Sequence, residues 1–255
     1  MTTNRKDLIC RLLKGTETGD PEAVAVLNQA SCIQHNPQAP EGSAGRAVMF
    51  KRLAGTSPRV NIVRVFEDGD FVFVHTEYDA AERNVGFEIF RFEGDQVVEH
   101  WDNIQPRQGP NPSGHSMVDG QTKLLELEKT ESNREIVQSF VEDVLIQRQG
   151  EKIYDYVKWN HFVEHNPRGS DDLDALIAIV SPPGEGDADS ISYEKCHRIL
   201  AEGNFVLSVC EGRVNRSPAS FYDLWCLEHD YIVEHWDTTE SIPPPEEWKN
   251  RNGKF

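Results

Sequence analysis

The chain has 255 residues, 38% hydrophobic and 27% charged, which predicts an ordinary soluble globular protein with length for about two domains. Its formal charge of -17 repels phosphate backbones and acidic membranes, because nonspecific nucleic-acid binding rests on Lys and Arg neutralising phosphates, so neither nucleic acid nor membrane is an expected partner. No apolar run approaches the ~20 residues that span a bilayer, and the opening residues lack the apolar core of a secretion signal, so a cytoplasmic location is the default expectation.

In chain order, Leu8, Ile9, Leu12 and Leu13 recur with helical period behind Asn4, a residue suited to cap a helix. A short helix is expected over 21–30 and another over 44–53. A helix should not cross Gln34-His35-Asn36-Pro37 between them, because the residue before a proline is pushed to extended geometry. Alternation of period two then marks four strands, over 60–66, 71–74, 87–92 and 96–104, separated by turns such as Asp68-Gly69-Asp70 and Glu93-Gly94-Asp95. Residues 106–132, punctuated by Pro106, Pro110, Pro112, Gly109, Gly114 and Gly120, read as a linker. Helical period returns at Ile136, Val137, Phe140, Val141, Val144 and Leu145, with Asn133 as the expected cap. Shorter helices follow near 152–157 and 173–179, then strands over 193–200, 205–210, 220–227 and 231–238. Pro243-Pro244-Pro245 and the segment 252–255 read as extended and surface-lying.

The two halves repeat one another. Val97-Val98-Glu99-His100-Trp101-Asp102 returns as Ile232-Val233-Glu234-His235-Trp236-Asp237, and Gln34-His35-Asn36-Pro37 returns as Glu164-His165-Asn166-Pro167. Between these anchors, Glu67-Asp68-Gly69-Asp70-Phe71-Val72 is echoed by Ala201-Glu202-Gly203-Asn204-Phe205-Val206. Three landmarks in one order, about 130 residues apart, make a tandem duplication of a whole domain rather than a solenoid. Domains are expected at 1–105 and 133–255, the second with a C-terminal tail, joined by the linker 106–132. Helices first and antiparallel strands after them is an α+β pattern, in which helices cover one face of a curved sheet and leave a pocket.

Phe87-Glu88-Ile89-Phe90-Arg91 followed by Gly94-Asp95-Gln96-Val97-Val98-Glu99-His100-Trp101-Asp102 resembles the signature of the SnoaL-like polyketide cyclase group in the nuclear transport factor 2-like superfamily. So does Tyr222-Asp223-Leu224-Trp225-Cys226 followed by Ile232-Val233-Glu234-His235-Trp236-Asp237. Ile33-Gln34-His35-Asn36-Pro37 and Gly114-His115-Ser116-Met117-Val118-Asp119-Gly120 resemble a bacterial branch predicted to catalyse aldol-type condensations. The resemblance covers nearly the whole chain and implies two tandem cone-shaped α+β barrels packed as a pseudo-twofold pair. The superfamily hosts cyclases, isomerases, dehydratases, epoxide hydrolases and ligand-binding modules on that one fold. The chain departs from the family pattern at Glu88, where Asp is usual, at Cys226, where Arg91 of the first repeat keeps the usual Arg, and at Ser170-Asp171-Asp172, which replaces a glycine-containing turn.

Glu88 and Asp223 sit among apolar and aromatic neighbours, where burial would raise a carboxyl pKa toward neutrality, as suits a general base. In a regular strand His100 and His235 share a face with Asp102 and Asp237, while Trp101 and Trp236 point the other way and read as structural. Each such His can serve as an oriented acid or base, or can simply satisfy polar groups at a strand end. His35 and His165, before Asn-Pro, are candidates to line a pocket. The second repeat is the expected active pocket, with Asp223 as base, His165 and His235 as its polar partners, and Tyr193, Tyr222 and Trp225 as an aromatic wall for substrate. Phe90 and Arg91 are the substrate-contacting candidates of the first. There is no H-E-x-x-H, no nucleotide loop and no G-x-S-x-G elbow, so neither metal nor cofactor is expected. Cys10, Cys32, Cys196, Cys210 and Cys226 form no C-x-x-C pair and read as thiols rather than a disulfide framework.

Two readings stay open. One is cofactor-independent acid/base catalysis on a small carbonyl compound. The other is a non-catalytic ligand-binding or interaction module in which the duplication makes a dimer intramolecular, with a further homodimer left open. An enclosed apolar pocket with Glu88 or Asp223 at its floor would favour the enzyme, and a filled barrel the module.

Overall fold

The computed structural model describes residues 4–20, 22–28, 32–40, 59–180 and 190–255, and the helix expected over 44–53 lies outside them. The Asn4 side chain accepts from the Lys6 amide and starts α1 (Arg5–Thr18), which ends at Gly19 in the left-handed conformation. Its buried stripe is Ile9, Leu12 and Leu13. The helix expected over 21–30 is a 3-10 turn, Ala23–Val26, because the chain then leaves it to bridge Leu27 to Val97.

Five strands follow: β1 (Ile33–Gln34), β2 (Arg59–Asp68), β3 (Phe71–Asp79), β4 (Arg83–Glu93) and β5 (Gln96–Pro106). Their order across the sheet is β1-β5-β4-β3-β2. The last four run as an antiparallel meander, but β1 pairs in parallel with β5, placing Gln34 beside His100, so the expected purely antiparallel sheet is corrected to a mixed one.

The second repeat reproduces this plan. Its first helix, α2 (Thr130–Phe140), continues as a π-helical turn, Val141–Ile146. The expected cap Asn133 is corrected: it is a fully buried residue inside α2 whose amide donates to Gly203 O, while Thr130 Oγ1 accepts from the Gly203 amide. The helix therefore begins one turn earlier, docked on the hairpin tip. The short α3 (Ile153–Tyr156) and α4 (Leu173–Val180) lie where helices are expected. The strands β6 (Val163–Glu164), β7 (Ile191–Glu202), β8 (Phe205–Val214), β9 (Ser217–Glu228) and β10 (Tyr231–Ser241) form a sheet of order β6-β10-β9-β8-β7. Again the short strand is parallel to the last, placing Glu164 beside His235. The molecule is thus α+β, two five-stranded mixed sheets with a few helices.

Each sheet buries one face under its own helices. In the first repeat Ile9, Leu12 and Leu13 pack with Val72, Val74, Phe90 and Phe92. In the second, Val137, Phe140 and Val141 pack with Val206, Cys210, Phe221 and Trp225. The chain divides into one unit of residues 1–106 with 243–255 and another of 107–242. The tail after β10 thus groups with the first repeat and the segment after β5 with the second. Pro244, Pro245 and Asn252 are exposed as expected, but the surface-lying expectation is corrected at Lys254, which is buried, and Asn250 between the two segments donates to the carbonyls of Asn36 and Ala39. No helix among the described residues is long and apolar enough to cross a membrane.

Gly212 faces Tyr193 across β8 and β7, at a register shift of β7. A Cβ there would stand 1.8 Å from the Ser192 carbonyl oxygen, a backbone atom that cannot swing aside. Gly212→Ala is expected to push β7 off the sheet and lower stability by about 1–3 kcal/mol, as overpacking does, measured by urea unfolding. An unchanged midpoint would contradict the described approach of the two strands.

Candidate functional site

Alternation along β9 sends Asp223 and Trp225 to the helix-covered face and Tyr222, Leu224 and Cys226 to the other. β10 is offset by a bulge between Ile232 and Glu234, after which His235 lies opposite Trp225 and Asp237 opposite Asp223. Glu164 arrives from β6 on the far side of His235. The result is a buried chain of polar side chains. His235 Nδ1 meets Glu164 Oε1 at 2.9 Å, and His235 Nε2 meets Asp223 Oδ1 at 3.3 Å. The Tyr193 hydroxyl donates to the same Asp223 oxygen at 3.1 Å. Trp225 stacks on the His235 ring with centroids 4.0 Å apart, and its indole N–H is held by Ser208 Oγ. The second oxygen of Asp223, Oδ2, is buried without a hydrogen-bond partner among the described residues.

The electrostatics follow from burial against charge. Loss of water is the largest influence on His235 and pushes its pKa down, but Glu164 and Asp223 on its two nitrogens overcome it and hold the pKa well above the ordinary imidazole value. Burial raises Asp223, against the pull of His235 and Tyr193. Burial also raises Tyr193, helped by the Asp223 charge. Asp237, opposite Asp223, is pushed up to about 7, first by burial and then by the neighbouring carboxylates, although Asn166 donates to both its oxygens. Two carboxyls side by side with one imidazolium are arranged to hold and pass protons near neutral pH.

The first repeat has the same frame with different chemistry. Glu88 Oε2 meets His100 Nε2 at 3.1 Å, and burial raises the Glu88 pKa. Phe90 stacks on His100 as Trp225 does on His235. The group on His100 Nδ1 is the neutral Gln34 amide oxygen, where the second repeat has a carboxylate. Asn36 donates to Asp102, and Lys254 from the tail sends its ammonium to the Asp102 carbonyl and to within 4.0 Å of its carboxyl.

His35 and His165 are not brought to these carboxyls. Each stacks on the tryptophan of its own repeat, His35 on Trp101 and His165 on Trp236, both with centroids 4.6 Å apart, on the opposite face of the last strand. His35 spans Glu99 and the Gly253 carbonyl, and His165 spans Glu234 and the Ser116 carbonyl. Arg91 lies on that face too, bonded to Glu99. Of the expected aromatic wall, Tyr193 reaches Asp223 and Trp225 stacks on His235, whereas Tyr222 is buried on the far side of β9.

Glu164 and Lys254 were not among the sequence candidates. The signal for Glu164 lay in the duplicated landmark itself, as the exchange of Gln34 for Glu164. Lys254 had none, since its partner Asp102 is remote in sequence.

A carboxyl whose folded pKa is raised binds its proton more tightly in the folded state, so its ionisation lowers stability progressively as pH rises from about 4 to about 7 for Asp237. Asp237→Asn removes that ionisation. Relative to the unsubstituted chain, the variant should gain stability steadily between about pH 4 and about pH 7 in chemical unfolding and level off above that, and a difference independent of pH would contradict the shift.

The sequence profile of the SnoaL-like domain matches residues 10–100. No curated protein matches the chain. Among solved structures, IdmH from Streptomyces antibioticus, assigned as a polyketide cyclase, is 15% identical, with 40% of this chain and 93% of that one covered and a TM-score of 0.36. An epoxide hydrolase of the LEH-like kind from M. tuberculosis is 17% identical, with 41% and 84% covered and a TM-score of 0.36. TsrD from Streptomyces laurentii is 19% identical, with 39% and 86% covered and a TM-score of 0.35. Residues 10–100, most of the first repeat, are thus similar to a SnoaL-like domain.

Proposed function

We propose that the second repeat carries out cofactor-independent acid/base catalysis on a small carbonyl compound, as an aldol-type cyclase, isomerase or dehydratase, with Asp223 as the proton-transferring group. The observation that carries this reading is the asymmetry of the Asp223 carboxyl. One oxygen is fixed by the Tyr193 hydroxyl and the His235 imidazolium, and the other is buried with no partner among the described residues. A buried polar atom left without a partner costs free energy, and a substrate C–H or O–H that it accepts from offsets that cost. Asp223 is 1% exposed and lines neither described cleft, so substrate reaches it only when the surrounding strands open. Burial raises the basicity of the carboxylate, as removal of a proton alpha to a carbonyl requires. Glu164 positions His235 and balances its charge, so proton transfer at Asp223 leaves the cation in place. Trp225 stacks on His235 and holds its ring in place beside Asp223. The SnoaL-like match lies in the first repeat, residues 10–100, and bears on the second only through the duplicated sequence landmarks.

For the first repeat, a non-catalytic role has a specific observation in its favour. Lys254 adds a buried cation beside Asp102, and the neutral Gln34 amide stands where the second repeat has the Glu164 carboxylate. That repeat then serves as a binding or structural module.

The test is hydrogen–deuterium exchange at the alpha carbons of a panel of small ketones and β-dicarbonyl compounds, followed by NMR in deuterated buffer. Asp223→Asn should slow enzyme-dependent exchange by about 100-fold or more, the usual contribution of a general base. Glu88→Gln should leave it unchanged. Exchange that survives in Asp223→Asn, or is lost in Glu88→Gln, would reject the assignment.

A further inference from the structure

We propose that Cys196 and Cys210 are a redox-modification site in the second repeat, a thiol pair that closes reversibly to a disulfide when peroxide enters the cleft between α2 and β7. The two residues are directly opposed across β7 and β8, and both are free thiols. Opposed residues of an antiparallel ladder point to one face with Cα atoms about 4.5–5.5 Å apart, inside the ~4.4–6.8 Å that a disulfide bridges, so the bond asks for little backbone movement. What movement it needs is available, because β7 is an edge strand whose register shifts on both sides of Cys196.

The two thiols differ in the way a sensing pair requires. Cys210 is fully buried among the core residues under α2. Cys196 is partly exposed and lines a cleft of about 560 Å³ together with Arg134, Lys195, His197 and Arg198. That space admits a small oxidant, and its lining carries the carboxylates of Glu142 and Glu194 as well as the cations. The hydrogen bond from Cys210 holds the Cys196 thiol below its ordinary pKa, while the same bond and burial push Cys210 up. Cys196 is therefore the attacking sulfur and Cys210 the resolving one.

The chemistry balances with hydrogen peroxide as oxidant. The Cys196 thiolate attacks one peroxide oxygen, the O–O bond breaks, and the departing hydroxide takes up the proton that Cys196 released, leaving a sulfenic acid. Cys210 sulfur then attacks the Cys196 sulfur, the S–O bond breaks, and hydroxide leaves with the Cys210 proton as water. Two thiols lose two electrons, the peroxide gains them, and two waters form. The pair lies in the same repeat as Asp223, but the proposal does not depend on the function suggested for that residue.

The full-length protein is titrated with hydrogen peroxide under native conditions, alkylated, digested and analysed by mass spectrometry, with Cys10, Cys32 and Cys226 as internal controls. The expected result is a peptide pair linked through Cys196 and Cys210 before the control thiols change, with both free thiols restored by dithiothreitol. In Cys210→Ser, Cys196 should stop at the sulfenic acid and take up dimedone, with the far-ultraviolet circular dichroism unchanged. Oxidation of Cys10 or Cys226 ahead of the pair, or a Cys196 linkage between two chains in place of the internal one, would overturn the proposal.

Discussion

The second repeat is organised around one buried cation. His235 is held between Glu164 and Asp223, and all three side chains are largely withdrawn from water. Removing a charge from water costs several kcal/mol unless it is paired and hydrogen-bonded, so such a cluster persists where each nitrogen has its acceptor in place. That requirement dictates much of the surrounding structure. β6 must pair in parallel with β10 to bring Glu164 to His235, and the bulge in β10 must set His235 and Asp237 against Trp225 and Asp223. β7 must come close enough at Gly212 for Tyr193 to reach Asp223.

The duplication supplies an internal control for this account. The first repeat retains the fold, the His–carboxyl contact and the stacked aromatic, as His100, Glu88 and Phe90. It exchanges one carboxylate for the Gln34 amide and receives a lysine beside Asp102. Position for position, the residue after the carbonyl that faces His Nδ1 is Lys254 in one repeat and Met117 in the other, both buried. The position carries a cation in one repeat and a neutral thioether in the other. The two repeats have thus diverged in electrostatics while keeping one backbone, as is usual when function is grafted on a shared fold.

The strands and the duplication were legible because both leave local signals, a period of two between Gly and Asp turns and a repeated string of residues. The face shared by His235 and Asp237 was legible from the same alternation. That rule also puts Tyr222 and Asp223 on opposite faces, so the wall that included both was inconsistent with strand parity from the outset. Partners across the sheet were not legible. The register of β10 depends on a bulge that no residue type announces, and β6 is two residues long and parallel, below the reach of periodicity. His165 sits in the repeated landmark and is expected beside Asp223, but the landmark records a second structural pairing, that of His with Trp on the other face. The lysine of the tail and the opposed cysteines depend likewise on chain segments that meet after folding.

The charge state of His235 is the central claim, and nitrogen-detected NMR of the imidazole reads it directly. The account predicts both ring nitrogens protonated at a pH well above the ordinary imidazole value of about 6.5, with the ring becoming neutral at lower pH in Glu164→Gln. A His235 ring carrying a single proton at neutral pH in the unsubstituted protein would contradict it.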